Sequence, residues 1–278
     1  MAGASAGRAD LHTHSTASDG LDSPALLVRL ASERGISVLA LTDHDTVSGV
    51  GEAAAAAAEH GIRFVPGVEF SARAPRGETH ILGYGISPDD RQLNAELDAL
   101  RLSREERGAA MLDRLRDLGI ALSPDTLASN RPGHSPGRPH IARGLVQTGA
   151  VASVQQAFDE YLAVGRPAFV PRRTITAERA VQVIHDAGGI AVLAHPFSVY
   201  QLDRVLPRFV ATGLDGLEVH YGEYDQDQRQ SLADLAAEYN LLMSGGSDYH
   251  GAPGVSGRAL GSVEWPADRL RAILERLK

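Results

Sequence analysis

Short apolar runs rich in Val, Ile and Leu alternate along this chain with longer, Ala-rich amphipathic stretches, and that alternation constrains the fold more than any other feature. "SVLALTD" is followed by a helical stretch over 46–60, and "IRFVPGVEFSA" leads through "HILGYGI" into a long helix over 88–118. After a middle segment the order resumes. A helix over 176–187 precedes "GIAVLAH", one over 201–212 precedes "LDGLEVHY", one over 225–239 precedes "LLMSGGSDYH", and 266–277 closes the chain as a helix. Apolar runs of about four to eight residues between turn signals read as strands buried on both faces, with the helices as crossovers. Strand and helix in repeated order predict an α/β fold with a mainly parallel sheet, either closed as a barrel or open and doubly wound.

The segment from about 95 to 172 breaks this rhythm. It reads as the continuation of the long helix, a Pro/Gly-rich loop "NRPGHSPGRPH" and two short helices near 139–148 and 153–163, with no strand. The expected organisation is therefore a barrel or sheet domain made of 1–94 and 173–278, interrupted by a helical insertion over 95–172 that contributes to the substrate pocket.

Composition narrows the chemistry. With 278 residues, 43% of them hydrophobic, the chain can bury a full-sized core. No apolar run is long enough to span a bilayer, and "MAGASAGRAD" lacks the hydrophobic centre of a signal peptide, so a soluble protein of the cytoplasm is expected, with no membrane and no obligate protein partner evident. There is no cysteine, so any metal must be held by imidazole and carboxylate. A net charge of -8 argues against broad attraction to nucleic acid or membrane. Yet between 131 and 179 seven arginines face three acids, which leaves a local anion site open.

"RADLHTHSTASDG", at 8–20, places Asp10, His12 and His14 at a spacing of two, with Asp19 just beyond. In a strand, residues two apart point to one face, so His12 and His14 can approach one ion together. The spacing recurs at Asp248 and His250 in "SDYH". Both pairs sit where an apolar run gives way to polar residues, as do Asp43 and His44 in "LTDHD", Glu69 in "GVEFS" and His195 in "LAHP", while His80 begins its strand. Parallel strands deliver their carboxyl ends to one rim, where ligands bind. A single histidine at a strand end is more often a hydrogen-bonded structural residue than a ligand, but six segments with His or acid at equivalent positions point to a metal centre. Glu218 and His220 in "LEVHY" form a rival pair. Asp10 and Asp43 read as supports for ligand imidazoles, and His60 and His185 as structural. No Gly-Lys-Ser/Thr phosphate loop follows a strand, and the few aromatics form no stripe for stacking single strands.

Taken in order, "DLHTHSTASDG", "LTDHDT", "PGVEFS", "HILGYG", "AHP" and "GSDYHG" resemble the motifs of the PHP (polymerase and histidinol phosphatase) family of metal-dependent phosphoesterases. The resemblance runs from about 8 to 251. "GRPHIARGLV" is similar to the subgroup that hydrolyses nucleoside 3',5'-bisphosphates and trims RNA from the 5' end. The resemblance implies a distorted (β/α)7 barrel, TIM-like, holding two to three divalent transition-metal ions, with Mn²⁺ favoured and Fe²⁺ or Zn²⁺ as alternatives. Carried over by motif, His12, His14, Glu69 and Asp248 would hold a first ion, Glu69, His80 and His195 a second, and Asp19, His44 and His250 a third. These nine would act through the bound metals and a water they activate.

Arg138, His140 and Arg143 open a helix whose N-terminal amides favour anions, and with Arg172 and Arg173 they are the candidates for holding a substrate phosphate. The expected substrate is a small phosphorylated nucleotide or the 5' end of short RNA. Two other readings stand beside this one: a phosphomonoesterase for another small substrate such as histidinol phosphate, and a non-catalytic metal- or nucleic-acid-binding module, whose signature would be lost ligands.

Overall fold

The computed structural model describes residues 8–123, 137–171, 174–251 and 258–277. The chain divides into two compact units, one made of Met1–Ala95 with Thr174–Lys278 and the other of Glu96–Arg173. The first unit holds β1 (Arg8–Asp10), α1 (Pro24–Glu33), β2 (Ile36–Leu41), α2 (Val50–His60), β3 (Arg63–Arg73) and β4 (Glu78–Tyr84). The long α3 (Arg91–Asp117) runs on into the second unit, which also contains α4 (Arg138–Gln147) and α5 (Val154–Ala157) with a π-helical turn over Phe158–Leu162. Back in the first unit follow β5 (Ile175–Thr176), α6 (Ala177–Asp186), β6 (Ile190–Leu193), α7 (Leu202–Ala211), β7 (Gly216–Tyr221), α8 (Gln226–Glu238), β8 (Leu242–Gly246) and α9 (Ala267–Arg276).

The strands form one sheet in the order β1-β2-β3-β4-β6-β7-β8, with β5 paired to β3. The ends of the sheet approach each other. Leu11 N–H donates to Gly245 O at 3.2 Å, His14 N–H donates to Tyr249 O at 2.8 Å, and Thr13 bridges Tyr249 in parallel, so the sheet is a nearly closed barrel. This seam needs a glycine: a Cβ on Gly246 would collide with His12 Cβ. Pairing is parallel except at β4, which runs antiparallel to both β3 and β6. That reversal explains why His80, near the start of β4, joins candidates that follow parallel strands, while Glu69 lies inside β3, which runs four residues further than the strand end the sequence suggested. Ser71, near the end of β3, faces His80 across the ladder, so an antiparallel start and a parallel end share one rim.

Local sequence sets the helices. Ser23 caps α1 by accepting from Leu26 N–H at 3.2 Å with Pro24 as its first residue, Thr176 caps α6 in the same way, and Asp225 and Gln228 make a reciprocal capping box on α8. Val38, Ala40, Val65, Leu82, Tyr84 and Val192 form one buried cluster into which α9 inserts Leu270 and Ile273. The alternate residues Leu39 and Leu41 of β2 pack outward on Leu27, Val28 and Ala31 of α1 and Ala53 and Ala57 of α2. The second unit has a core of its own, including Met111, Leu115, Ile141, Leu145 and Leu162, and no strand among its described residues. No helix among the described residues is long and apolar enough to cross a membrane.

Candidate metal centre

The barrel rim and the turn after β1, which carries Asp19, bring all nine ligand candidates to one place. His12 Nε2 lies 3.3 Å from both Glu69 Oε2 and Asp248 Oδ1, and His14 Nε2 lies 3.2 Å from each of the same two oxygens. Donor atoms bonded to one ion at roughly 2.0–2.1 Å stand about 3.3–3.4 Å apart at tetrahedral angles, which each of these N···O separations matches. The atoms that gather as mutual neighbours are those of His12, His14 and Glu69, of His44, Glu69 and His80, and of His14, Asp19, His44 and His250, with Asp248 and His195 at the margin of these groups. Glu69 turns its other oxygen away: Oε1 is 2.8 Å from His80 Nδ1 and 3.3 Å from His195 Nε2. A third group forms around Asp19, whose Oδ1 is 3.3 Å from His250 Nε2 and whose Oδ2 is 3.9 Å from His44 Nε2. The groups are not separate. His14 Nδ1 is 3.9 Å from Asp19 Oδ1, and His44 Nδ1 is 3.0 Å from Glu69 Oε2.

Buried imidazole nitrogens as a rule have hydrogen-bond partners. Both ring nitrogens of His14 and Nδ1 of His44 are buried with none, although carboxylate oxygens stand close by. Unpaired nitrogens set among carboxylates fit divalent cations of intermediate softness. The electrostatics agree. Burial pushes the carboxyls of Asp19, Glu69 and Asp248 up, but the histidines around them hold all three well below the usual carboxylate range. Burial alone would lower His14, yet Asp248 and Glu69 raise it to about 10, and Glu218, Glu69 and Asp248 raise His12 against the same burial. His44 goes the other way: burial, with the positive neighbours His14 and His80, brings it down to about 3 despite Glu69 and Asp19.

Supporting residues fix these groups. Glu218 accepts from His12 Nδ1 at 2.8 Å through Oε1 and from the His195 backbone N–H at 2.7 Å through Oε2. Asp10 lies beneath the His pair, accepting from Ser247 N–H and Oγ at 2.9 and 2.6 Å and from Gly261 N–H at 2.8 Å. Asp43 does not reach a ligand imidazole by hydrogen bond, contrary to the sequence reading. It accepts from Ser15 N–H and Oγ and from Ser18 Oγ at 2.6–2.7 Å, shaping the turn that carries Asp19. Asp45, His195 and Asp248 all have positive φ, a conformation that costs about 1–3 kcal/mol outside glycine and clusters at functional sites.

The rival pair separates. A register shift between Glu218 and His220 turns Glu218 toward His12, whereas His220 stacks on Trp265 with ring centroids 6.0 Å apart. His185 is held by Asp215 at 2.7 Å, away from the centre. Sequence reasoning missed Tyr221 and Arg258. The Tyr221 hydroxyl donates to Asp248 Oδ2 at 2.9 Å and the Arg258 guanidinium reaches the same oxygen at 2.8 Å, which leaves Oδ1 for the histidines. Tyr221 ends an apolar strand and so carried a signal; Arg258 lies in a loop and carried none. Arg138 and His140 are half-buried in the first turn of α4, Arg143 is exposed, and all three belong to the second unit. Arg172, Arg173 and His134 lie outside the described residues.

Six imidazoles around three carboxylates, on the rim of an α/β barrel, define the class: a metal-dependent hydrolase. The PHP domain model matches residues 10–129. A 5'-3' exoribonuclease of Haemophilus influenzae is 40% identical over 87% of this chain and 89% of its own length. A 3',5'-nucleoside bisphosphate phosphatase of Chromobacterium violaceum is 40% identical over 92% and 91%. Among solved structures, one from Chromobacterium violaceum named as an amidohydrolase, with bound sulfate and no metal, superposes with a TM-score of 0.86 at 38% identity, covering 97% of this chain and 96% of that one. Another, from Bifidobacterium adolescentis and named for metal-dependent phosphoesterase activity, has a TM-score of 0.85 at 30% identity, covering 96% of both. The chain belongs to the PHP domain family, and it is a metal-dependent phosphoesterase.

Proposed function

We propose that this enzyme hydrolyses the 3'-phosphate of nucleoside 3',5'-bisphosphates and removes nucleotides from the 5' end of short RNA. The observation that carries the reading is Glu69, whose two carboxylate oxygens face different groups of imidazoles, as a residue bridging two ions would. The names of the relatives from Haemophilus influenzae and Chromobacterium violaceum support the substrate class, and sulfate bound to the related structure is an anion of phosphate's shape. His12, His14, Glu69 and Asp248 would hold one ion, Glu69, His80 and His195 a second, and Asp19, His44 and His250 a third, with Mn²⁺ as the favoured metal. A bound pair of such ions supplies a nucleophilic water at neutral pH and positive charge opposite the phosphoryl oxygens.

The chain's own part is orientation. Glu218 accepts from His12 Nδ1 and so turns Nε2 toward Glu69 and Asp248, where it would offer its lone pair to an ion once its proton is displaced, and Tyr221 with Arg258 fixes Asp248 in the same way. The cavity above these groups has a volume of about 550 Å³. Arg138, His140, Arg143, Arg172 and Arg173 remain the candidates for the second phosphate, on their chemistry alone. The cytoplasm remains the proposed compartment.

A steady-state comparison with Mn²⁺ tests the reading, using a nucleoside 3',5'-bisphosphate, its two monophosphates, histidinol phosphate and a 5'-phosphorylated oligoribonucleotide. The bisphosphate and the oligoribonucleotide should have the highest kcat/KM; a preference for histidinol phosphate would replace the substrate assignment. Arg138→Ala should raise KM for the bisphosphate about ten- to a hundredfold and for a monophosphate much less. Equal effects on both would remove Arg138 from that role.

A further inference from the structure

Beyond the ligand candidates, the cavity wall holds three aromatic rings that the chemistry just described leaves without a substrate contact. Phe197 comes from the 3-10 turn after β6, Tyr221 ends β7, and Tyr224 lies in the loop before α8. They touch in series. Tyr221 and Tyr224 have ring centroids 4.9 Å apart, and Tyr224 meets Phe197 edge to face at 5.2 Å and 73°. At the inner end Tyr221 stands 5.7 Å from the His195 ring. The row therefore starts against a metal-ligand candidate and ends at Phe197, which is 45% exposed.

Phe197 is exposed but held. The Tyr224 hydroxyl accepts from its backbone N–H at 3.0 Å while the Tyr224 ring packs against its side chain, and Phe197 is only two residues beyond His195. One side of the ring is thus fixed by Tyr224 and the rest is open at the mouth of the cavity. Two of the polar groups beside it have partners. Ser198 Oγ is bonded to His195 Nδ1 at 2.9 Å, and Glu223 is paired with Arg258 at 2.9 Å.

We infer that Phe197, backed by Tyr224, is a stacking shelf for the nucleobase of the substrate. This inference rests on the nucleotide reading above and adds a specificity to it. Stacking tolerates any base because every base has a π-face, so the shelf selects for the presence of a ring rather than for its identity. The enzyme should then accept all four bases with little spread and discriminate against a ribose 3,5-bisphosphate that lacks a base.

The test compares kcat/KM for the four nucleoside 3',5'-bisphosphates and the base-free ribose bisphosphate in the wild type, Phe197→Ala and Phe197→Trp. Phe197→Ala should cut the preference for base-carrying substrate by about 5- to 150-fold, mainly through KM, and Phe197→Trp should keep it. If Phe197→Ala lowers both substrate types equally and Phe197→Trp does the same, Phe197 only supports the turn that carries His195, and the inference falls. A second measurement does not depend on turnover. In Phe197→Trp, with Trp265 as the sole other indole, adenosine should quench the new fluorescence and inorganic phosphate should not. Quenching without nucleotide hydrolysis would keep the shelf and overturn the proposed function. Nucleotide hydrolysis without quenching would do the reverse.

Discussion

Replacing Glu218 with Gln removes a charge and almost no volume, which makes it a sharp probe of how the centre is oriented. The carboxylate is fully buried and accepts two hydrogen bonds, one from the His12 ring at 2.8 Å and one from the His195 backbone at 2.7 Å. A Gln side chain offers one acceptor oxygen and one NH₂ donor, so it can serve only one of these N–H groups. If its oxygen takes the His195 N–H, the amide NH₂ faces His12 Nδ1, and His12 must give up that proton and carry one on Nε2, the nitrogen meant for the ion. If its oxygen takes His12, the His195 N–H meets a donor, at a position already strained by φ +30°.

Either arrangement loses the charge of the acceptor, the first forces a proton onto His12 Nε2, and the second leaves the buried His195 N–H opposed to a donor. That costs the ion-free protein about 1–3 kcal/mol, and the loss of an orienting partner should weaken metal binding about 10- to 100-fold. Thermal unfolding of the ion-free variant and Mn²⁺ titration of wild type and variant read the two quantities separately. Glu218→Gln with wild-type metal affinity, whatever its stability, would show that the carboxylate supports the barrel and not the ligands.

The Asp19 group should be the weakest of the three, because Asp19 follows a turn held by Ser15 and Ser18 on Asp43 while His12 and His14 are anchored across the barrel seam. Asp19→Ala is expected to lose about one ion per chain and to lower kcat more than it changes KM; metal analysis and kinetics on one preparation would decide, and retention of all ions would assign Asp19 to the turn alone. Loading the ion-free protein with Mn²⁺ at pH 7 should release protons, since His14 is protonated up to about pH 10 before an ion arrives and must be neutral to bind one. Calorimetry in buffers of different ionisation enthalpy counts them, and a buffer-independent heat would refute the assignment. The same group stabilises the ion-free fold fully below its unfolded value of about 6.5, and this contribution should fade as pH rises from there toward about 10.

How much of this was legible beforehand depended on whether a residue's role followed from local pattern. Most barrel elements were, because β2, β3, β4, β6, β7 and β8 follow short apolar runs and the helices between them are amphipathic, whereas β1, a polar Arg-Ala-Asp stretch, α1 and the two-residue β5 were not read. The gathering of His12, His14, Glu69, His195, Asp248 and His250 could be anticipated because parallel strand ends converge. The direction of β4 could not, since apolar content carries no sign. The i, i+2 rule misled at Glu218 and His220 because a bulge, invisible in the sequence, inserts one residue between them. Asp43 gave the same strand-end signal as a ligand support, but serine hydroxyls only a few residues from His14 claimed it. Phe197, Tyr221 and Tyr224 are brought together by two different connections, so no spacing along the chain marks them as a group.

The seam between β1 and β8 has a consequence for how the protein lasts. Asp10 and Ser247 meet there across 237 residues of chain, whereas Glu69 and His80 belong to one antiparallel hairpin. Contacts this remote in sequence are the costliest to assemble, and the seam is the place where the barrel can open without breaking a full strand ladder. His12 and His14 stand on one side of it and Asp248 and His250 on the other, so a cation shared between them would work as a removable rivet. Its hold on the closed form would grow with free-metal concentration by mass action. Resistance to proteolysis at the seam would then follow cation supply, and starvation for metal would mark the protein for turnover at the same time as it stops the reaction.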